Sequence, residues 1–281
     1  MRPTVRATET GALRFLYKTA VGRCLLKGMV RPAVSRLAGR FLDSRLSRPL
    51  IGRFIRQNGV DLGEYVVEDW RCFNAFFTRR IRPGRRPFDP DPTHLCAPCD
   101  SKLSVYPLND GAAFTIKGSP YTAAELLDDP ALADAFGGGW CLIFRLTVDD
   151  YHRYAFFDDG AAGKTRFIPG VLHTVQPIAL SHANIYKRNC RAVTVLRTAH
   201  FADAAQVEVG ALLVGRIVNR PVDAFKRGEE KGRFEYGGST VVLLLKKGVA
   251  RIDEELLQNT RDGLETVVKM GEKIGIREDR T

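Results

Sequence analysis

The sequence lacks several features that would assign it to a common class of protein. No uninterrupted apolar run approaches the roughly 20 residues that a helix needs to cross a membrane. Arg14, Lys18 and Arg23 interrupt any apolar core that a secretory signal would need. There is no low-complexity tract and no internal repeat. The default expectation is therefore a globular chain in the cytoplasm.

Cysteine is also sparse. Six cysteines in 281 residues fit reduced thiols better than a disulfide framework. Two of them, Cys96 and Cys99, form a C-x-x-C pair that could belong to a redox or metal site. No second C-x-x-C pair exists, and the residues that follow do not predict the strand–helix unit of a thioredoxin-like site. The sequence therefore favours a different role for this segment.

The net charge of +11 comes entirely from the N-terminal part of the chain. Residues 1–60 hold 13 lysines and arginines against Glu9 and Asp43, whereas residues 61–281 hold 30 basic and 30 acidic residues. A basic arm can bind nucleic acid or an anionic membrane. Its aromatic residues fall on apolar helix faces rather than among the arginines, unlike a base-stacking surface. Nucleic acid is therefore not an expected partner.

The same arm predicts two or three short amphipathic helices over residues 11–58, broken near Gly28, Pro32 and Pro49. One predicted face is apolar and carries Val34, Leu37, Ala38, Phe41 and Leu42. These helices could form an ordinary layer on the core with a solvated basic face. Alternatively, they could lie on anionic lipid with their arginines at the head groups. Charge alone does not separate the two interpretations.

The rest of the chain predicts an α+β fold with a mainly β core behind N-terminal amphipathic helices. Residues 65–80 predict a core-packing helix with an aromatic face, and residues 81–92 predict a proline-rich loop. Strands are expected at 141–148, 193–196, 206–217, 240–245 and 266–270, with one helix at 126–136 and a strand–turn–strand at 265–275. We divide the chain into a basic amphipathic helical region, 1–60, and a mainly β domain, 61–281.

Three short motifs could carry chemistry, although each is ordinary when taken alone. Asp100 follows the C-x-x-C pair in a predicted turn, where aspartate is common. Asp150-Tyr151-His152-Arg153 ends a predicted strand, and a lone histidine is more often structural than catalytic. Gly237-Gly238-Ser239-Thr240 precedes the apolar run 241–245, where paired glycines usually make a turn.

Taken together, these motifs resemble the self-processing phosphatidylserine decarboxylase proenzymes of prokaryotes, over about residues 13–276. The resemblance implies that the Ser239 hydroxyl attacks the carbonyl of Gly238 and that the chain is cut between these residues. Elimination and hydrolysis then leave a pyruvoyl group at position 239, which forms a Schiff base with the substrate amine and takes up electrons. Glycine suits this step because no Cβ blocks the attack. The products are a large chain, 1–238, and a small chain, 239–281.

The same resemblance implies a catalytic set of Asp100, His152 and Ser239, without a metal. Asp100 stands where the family carries the aspartate of an Asp–His–Ser processing triad, in which a base activates the serine and a third group orients the base. Many members carry a second histidine, assigned to self-cleavage, where this chain has Ala155. Either His152 performs both steps, or another histidine replaces the missing one, with His173 as the leading substitute.

The implied function is the conversion of phosphatidylserine to phosphatidylethanolamine in phospholipid biosynthesis. The implied location is the cytoplasmic side of the cell membrane, with the protein peripheral on an anionic surface. A serine head group on another lipid backbone would require the same chemistry, and the oligomeric state is left open. The alternative, which Ala155 supports, is a lipid- or polyanion-binding homologue that keeps the fold without maturing or catalysing a reaction.

Overall fold

The computed structural model describes residues 1–6, 11–116, 119–175, 185–212, 216–235 and 239–278. The helices are α1 (Gly11–Lys18), α2 (Ala20–Met29), α3 (Pro32–Asp43), α4 (Pro49–Asn58), α5 (Phe73–Phe77), α6 (Ala123–Leu127), α7 (Pro130–Asp134), α8 (Ile185–Arg188) and α9 (Glu254–Arg261). Short 3-10 helices cover Arg45–Ser47 and Leu62–Glu64.

The strands are β1 (Thr4–Val5), β2 (His94–Cys96), β3 (Ser101–Pro107), β4 (Ala113–Ile116), β5 (Ser119–Thr122), β6 (Trp140–Leu146), β7 (Arg153–Ala155), β8 (Gly160–Ala162), β9 (Arg166–Ile168), β10 (Arg191–Thr198), β11 (Asp203–Val209), β12 (Arg216–Asn219), β13 (Ala224–Phe225), β14 (Glu230–Glu235), β15 (Ser239–Leu245), β16 (Ala250–Ile252), β17 (Glu265–Val268) and β18 (Lys273–Arg277). The mixture of helices with several sheets confirms the predicted α+β fold with a mainly β core.

A ten-stranded sheet organises the molecule. Its order is β1-β17-β3-β6-β15-β11-β10-β8-β13, and β9 also pairs with β10. Strand β15 lies in the middle, antiparallel to β6 on one side and to β11 on the other. All seven of its residues are buried, because a run of valines and leucines can cover both faces of a central strand.

Smaller sheets flank the large one. Strands β12, β14 and β7 form one three-stranded sheet, β16, β18 and β2 form another, and β4 pairs with β5. One continuous apolar cluster runs through both the large sheet and its surroundings, from Leu103 on β3 to Val242 on β15 and Phe234 on β14. The large sheet and the β12-β14-β7 sheet therefore share one core.

The N-terminal arm contains four helices, so the prediction of two or three was wrong. Pro32 and Pro49 do mark breaks, since each is the first residue of a helix, where its fixed φ angle is favourable and no hydrogen bond is lost. A break also falls near Gly28, because α2 ends one residue later, at Met29. The extra boundary falls at Thr19, whose side chain accepts a hydrogen bond from the Gly22 amide and caps α2.

The predicted aromatic helix over 65–80 is also much shorter, because only Phe73–Phe77 is helical. The backbone of Tyr65 and Val66 is extended and pairs with the chain at Arg80 and Ile81. Its predicted role in core packing is confirmed. Three phenylalanines of this segment, Phe73, Phe76 and Phe77, are buried in a cluster with Ile51 of α4.

Two further predictions need correction. The strand expected over 206–217 is two strands, since β11 ends at Val209 in the large sheet and β12 begins at Arg216 in a different sheet. The helix expected over 126–136 is also two helices. Asp128 adopts a left-handed conformation (φ 52°) and ends α6, and the Asp129 side chain then caps α7. Helices α8 and α9 were not predicted, whereas the strand–turn–strand near the C-terminus is confirmed as β17 and β18.

Candidate active site

Ser239 is the first residue of the central strand β15. Its side chain is completely buried, and it lies opposite Leu146 of β6. None of the residues that the structure describes hydrogen-bonds to its Oγ, and the same is true of Oγ1 of Thr240. A buried hydroxyl without a hydrogen bond costs about 1–3 kcal/mol, so such a group needs an explanation. Gly238, on the other side of the predicted cut, lies outside the described residues.

The chain changes sheets immediately before Ser239. Strand β14 ends at Glu235 in the three-stranded β12-β14-β7 sheet, and β15 begins at Ser239 in the ten-stranded sheet. The Phe234 amide, near the end of β14, donates a hydrogen bond to the carbonyl of His152. The predicted cut therefore lies between two strands of different sheets, β14 and β15. The first of these strands is bonded near its end to the backbone of His152.

His152 is completely buried, and its ring contacts a backbone carbonyl and an aromatic side chain. Its Nδ1 lies 2.9 Å from the backbone carbonyl of Asp150, and its ring packs against Phe77 with 4.1 Å between the ring centroids. Because a carbonyl can only accept, Nδ1 carries a proton here, which leaves the lone pair of the neutral ring on Nε2. In this tautomer His152 can act as a base through Nε2.

The residues around His152 fix its backbone. The carboxylate of Asp150 accepts hydrogen bonds from the Thr147 amide and from Lys102 Nζ, at 2.7 Å in both cases, and thereby closes the turn before the histidine. On the other side, the Arg153 guanidinium bonds the Thr78 carbonyl and the Glu230 carboxylate. The contacts of Asp150 and Arg153 thus hold the backbone on both sides of His152 and fix the position of its imidazole ring.

Asp100 is buried and strongly paired. Its carboxylate accepts hydrogen bonds from Arg86 Nε at 2.8 Å and Nη2 at 2.8 Å, from the Met270 amide at 2.8 Å and from Lys269 Nζ at 3.3 Å. Burial alone would raise the pKa of Asp100, but the hydrogen bonds from Arg86 and the charges of Lys269 and Arg86 hold it below its ordinary value. Asp100 is therefore an anion at neutral pH.

The sheet register places Asp100 and Ser239 at the same end of the strands of the large sheet. Lys102, Arg145 and Thr240 lie side by side in one row across β3, β6 and β15. Asp100 precedes this row on one strand and Ser239 precedes it on another. With neighbouring strands roughly 5 Å apart, the two residues are separated by about 10 Å. The hydrogen bonds described for Asp100 join it to Arg86, Lys269 and Met270, while Nδ1 of His152 bonds the Asp150 carbonyl.

His173 lies toward the same end of the strands, but its environment differs from that of His152. It is buried, and its Nδ1 is 3.1 Å from Tyr17 Oη. Burial and, secondarily, the charge of Arg188 lower the pKa of His173 to about 4. An imidazole with this pKa is a weak proton acceptor and stays neutral at neutral pH.

The remaining motif residues are structural in this environment. Cys96 and Cys99 are buried free thiols. Burial raises the pKa of Cys96 to about 11 and holds that of Cys99 well above its ordinary value, so both thiols keep their protons at neutral pH. His94 and His200 contact Asp89 and Asp158 near the surface. His182 lies outside the described residues.

Sequence reasoning missed two residues that hold this site, Arg86 and Lys102. Arg86 was assigned only to a basic loop, and Lys102 only to the start of a β-rich region. Each neutralises a buried carboxylate that is remote in sequence, Asp100 for Arg86 and Asp150 for Lys102. The available signal was chemical: two aspartates in otherwise buried segments each require a nearby cation.

Comparison with known proteins gives consistent results. The family model for phosphatidylserine decarboxylase matches residues 73–276. The chain is 46% identical over 272 residues to phosphatidylserine decarboxylase proenzyme 2 of Clostridium acetobutylicum, covering 96% of this chain and 94% of the relative. It is 39% identical to the phosphatidylserine decarboxylase proenzyme of Ruminiclostridium cellulolyticum (94% and 90% covered) and 37% identical to that of Clostridium perfringens (94% and 92% covered).

Proposed function

The chain belongs to the phosphatidylserine decarboxylase family, and on that premise we propose that it converts phosphatidylserine to phosphatidylethanolamine with a pyruvoyl group made from its own Ser239. The observation that carries the proposal is the buried Ser239 Oγ, which has no hydrogen bond to any described residue. A buried hydroxyl that bonds to no described residue is suited to attack the preceding peptide carbonyl, because none of those residues competes for it.

The self-processing step needs a base, and His152 is the proposed one. With Nδ1 bonded to the Asp150 carbonyl, its Nε2 can accept the serine proton. The Oγ–carbonyl bond then forms as the Gly238–Ser239 peptide bond breaks. Elimination frees residues 1–238 with a C-terminal carboxylate, and hydrolysis of the remaining dehydroalanine releases ammonia. In this scheme Asp100 remains an anion at the same end of the strands as the reacting Ser239.

The residues present also fit the mature reaction. When formed at position 239, the pyruvoyl carbonyl supplies an acceptor for the electrons released as carbon dioxide leaves the substrate. Position 239 is completely buried, and a site with little water favours the loss of a carboxylate's charge. We assign to His152, as imidazolium, the proton that the former α-carbon then receives.

Cutting the chain would not separate its parts. The small chain contributes β15 to the centre of the large sheet, where it pairs with both β6 and β11. It also contributes β17 beside β3 and β18 beside β2. These backbone ladders join 239–281 to the large chain in two sheets, so we expect the two chains to remain one folded unit.

The N-terminal region supports peripheral membrane binding. Most large exposed apolar side chains of the described residues lie on its helices: Phe15, Val21, Leu25, Val34, Leu37, Phe41, Leu46 and Leu50. An ordinary packed layer would bury such a face, whereas a bilayer can cover it while arginines of the same helices contact anionic head groups. Within the described ranges, no helix is long and apolar enough to span a membrane.

This region is not separate from the catalytic core. Tyr17 and Leu26 belong to the main apolar cluster, and Ile51 packs with the phenylalanines of α5. We therefore propose that residues 1–60 are the membrane-contacting part of a unit whose catalytic part is 61–281. Co-sedimentation with vesicles tests this proposal. Leu37→Gln combined with Leu46→Gln should weaken binding to anionic vesicles, and equal binding by this variant would contradict it.

A denaturing gel tests the enzyme proposal. The wild-type chain should give two bands in place of one near 31.3 kDa, and Ser239→Ala should stay intact and inactive. Ser35→Ala is a matched control, because Ser35 is also completely buried and its Oγ also lacks a hydrogen bond among the described residues; this variant should be cut. An intact, active wild-type chain would refute self-processing, and an intact, inactive one would favour a homologue that does not mature.

A further inference from the structure

A cavity of about 370 Å³ lies between helix α2 and the segment that follows β9. Leu26, Val30 and Val171 contribute apolar walls, and the buried side chains of Tyr17 and His173 also line it. This volume is within the range of small-molecule sites, which combine apolar walls with a few polar groups. The cavity can therefore accept part of an amphiphilic molecule.

The charged side chains that line the cavity are all cationic. Arg23, Lys27 and Arg31 line it from one side at intervals of four residues, and Arg188 of α8 lines it as well. Among the residues that the structure describes, no aspartate or glutamate lines it. Across the described ranges, no ion pair joins any of these four cations to a carboxylate. The charge of the site thus favours an anionic ligand.

His173 adds a buried donor. Its Nε2 is buried and has no hydrogen bond to any described residue, whereas its Nδ1 faces Tyr17 Oη at 3.1 Å. Burial raises the pKa of Tyr17 to about 12, so the hydroxyl keeps its proton, and it accepts a hydrogen bond from the Thr174 amide. With the hydroxyl proton directed at Nδ1, the neutral imidazole carries its own proton on Nε2 and can donate it to an oxygen of a ligand.

The cavity is close to the end of the large sheet's strands at which Ser239 lies. The His173 carbonyl accepts hydrogen bonds from the Leu212 amide at 3.2 Å and from Asn189 Nδ2 at 2.8 Å. Leu212 follows β11, whose Val209 pairs with Thr240. His173 is therefore connected through Leu212 and β11 to the end of β15 at which Ser239 lies.

We propose that this cavity binds the phosphodiester of the lipid substrate, with Lys27, Arg188 and the Nε2–H of His173 as its ligands. The proposal rests on the proposed function, because it takes phosphatidylserine as the substrate. A phosphodiester fits since it keeps one negative charge at neutral pH and offers two acceptor oxygens, while the apolar wall accommodates the start of the acyl chains. The assignment also gives His173 a role other than the processing base.

Binding of a monomeric short-chain lipid tests the site without a membrane. In the Ser239→Ala chain, which cannot react, the affinity for dihexanoyl phosphatidylserine is measured by titration calorimetry. Adding Lys27→Gln and Arg188→Gln should weaken binding about tenfold or more, since two charge-assisted contacts are lost. The control pair, Arg36→Gln and Arg40→Gln, removes the same charge from exposed positions of α3 outside the cavity and should bind within about twofold of the parent.

Equal affinity of the Lys27/Arg188 variant and its control would overturn the proposal. Displacement of the lipid by an equal concentration of inorganic phosphate would also overturn it, because the apolar wall would then contribute nothing. His173→Phe in the otherwise natural chain gives a third readout. It should still be cut but have a raised KM, whereas an uncut chain would make His173 the processing base and refute its assignment as a ligand. If the natural chain itself stays uncut, the proposed function fails, while the binding result stands on its own.

Discussion

The ion pair between Arg86 and Asp100 allows a quantitative test of what stabilises the end of the large sheet at which Ser239 lies. Both side chains are buried, at 5% and 1% exposure. Replacing Arg86 with methionine would leave the Asp100 carboxylate with only the Met270 amide and the 3.3 Å contact with the half-exposed Lys269. Removing one partner of a buried pair typically costs 3–5 kcal/mol. Because two contacts remain, we expect a loss of about 3 kcal/mol in the free energy of unfolding at neutral pH.

The dependence on pH identifies the cause of this loss. In the natural chain the pKa of Asp100 is depressed, so the pair stabilises the fold above the ordinary pKa of aspartate, and this contribution is lost as the pH falls through the folded-state pKa. In Arg86→Met, burial dominates and raises the pKa of Asp100. The penalty should therefore be largest at neutral pH and shrink on acidification, as the buried carboxyl takes up a proton.

Guanidinium chloride unfolding of Ser239→Ala chains, which remain in one piece, measures both effects. Arg48→Met is a matched control, since Arg48 pairs with Asp69 on the surface at 58% and 81% exposure and should cost less than about 1 kcal/mol. The double variant Arg86→Met/Asp100→Leu should recover much of the loss, because no charge is left buried. A cost for Arg86→Met that matches Arg48→Met, or one that does not change with pH, would refute the reasoning.

Three further predictions concern the site and its support. His152→Gln should slow processing, followed as loss of the intact band on gels, by about 10²-fold or more, because glutamine cannot take the serine proton; cutting at the natural rate would exclude His152 as the base. After processing, both chains should elute together in native size-exclusion chromatography and separate only in denaturant; early release of the small chain would contradict the role of β15 in the sheet. Arg79→Lys should lower the free energy of unfolding by about 2 kcal/mol, since the buried guanidinium of Arg79 stacks 4.1 Å from the Tyr65 ring centroid and an ammonium cannot stack in the same way; unchanged stability would contradict that contact.

Local patterns in the sequence predicted the parts of the fold that local physics determines. The run after Ser239 is apolar over its whole length and could only be a buried strand, and the prolines at 32 and 49 start helices as expected. The helix expected over 65–80 failed for a tertiary reason. Its first two residues, 65 and 66, pair as extended chain with residues 80 and 81, which pattern alone does not reveal.

The candidate site also has residues that local sequence motifs predict and partners that depend on tertiary contacts. His152 and Ser239 were predicted because their contiguous motifs resemble those of the family, and they remain predictions. The structure adds what surrounds them: the carbonyl of Asp150, the ring of Phe77 and a change of sheet between β14 and β15. The partner of Asp100 could not be predicted, because Arg86 reaches it across a turn-rich loop. The cavity beside His173 depends on α2 packing against a segment about 145 residues away, and no sequence spacing encodes that contact.

The most direct test of the central claim is the intact mass of the C-terminal fragment from purified, active protein. The account predicts a fragment that covers residues 239–281 and is lighter than the encoded peptide by one ammonia, because Ser239 has become a pyruvoyl group. A catalytically active preparation in which residue 239 is an unmodified serine would contradict it.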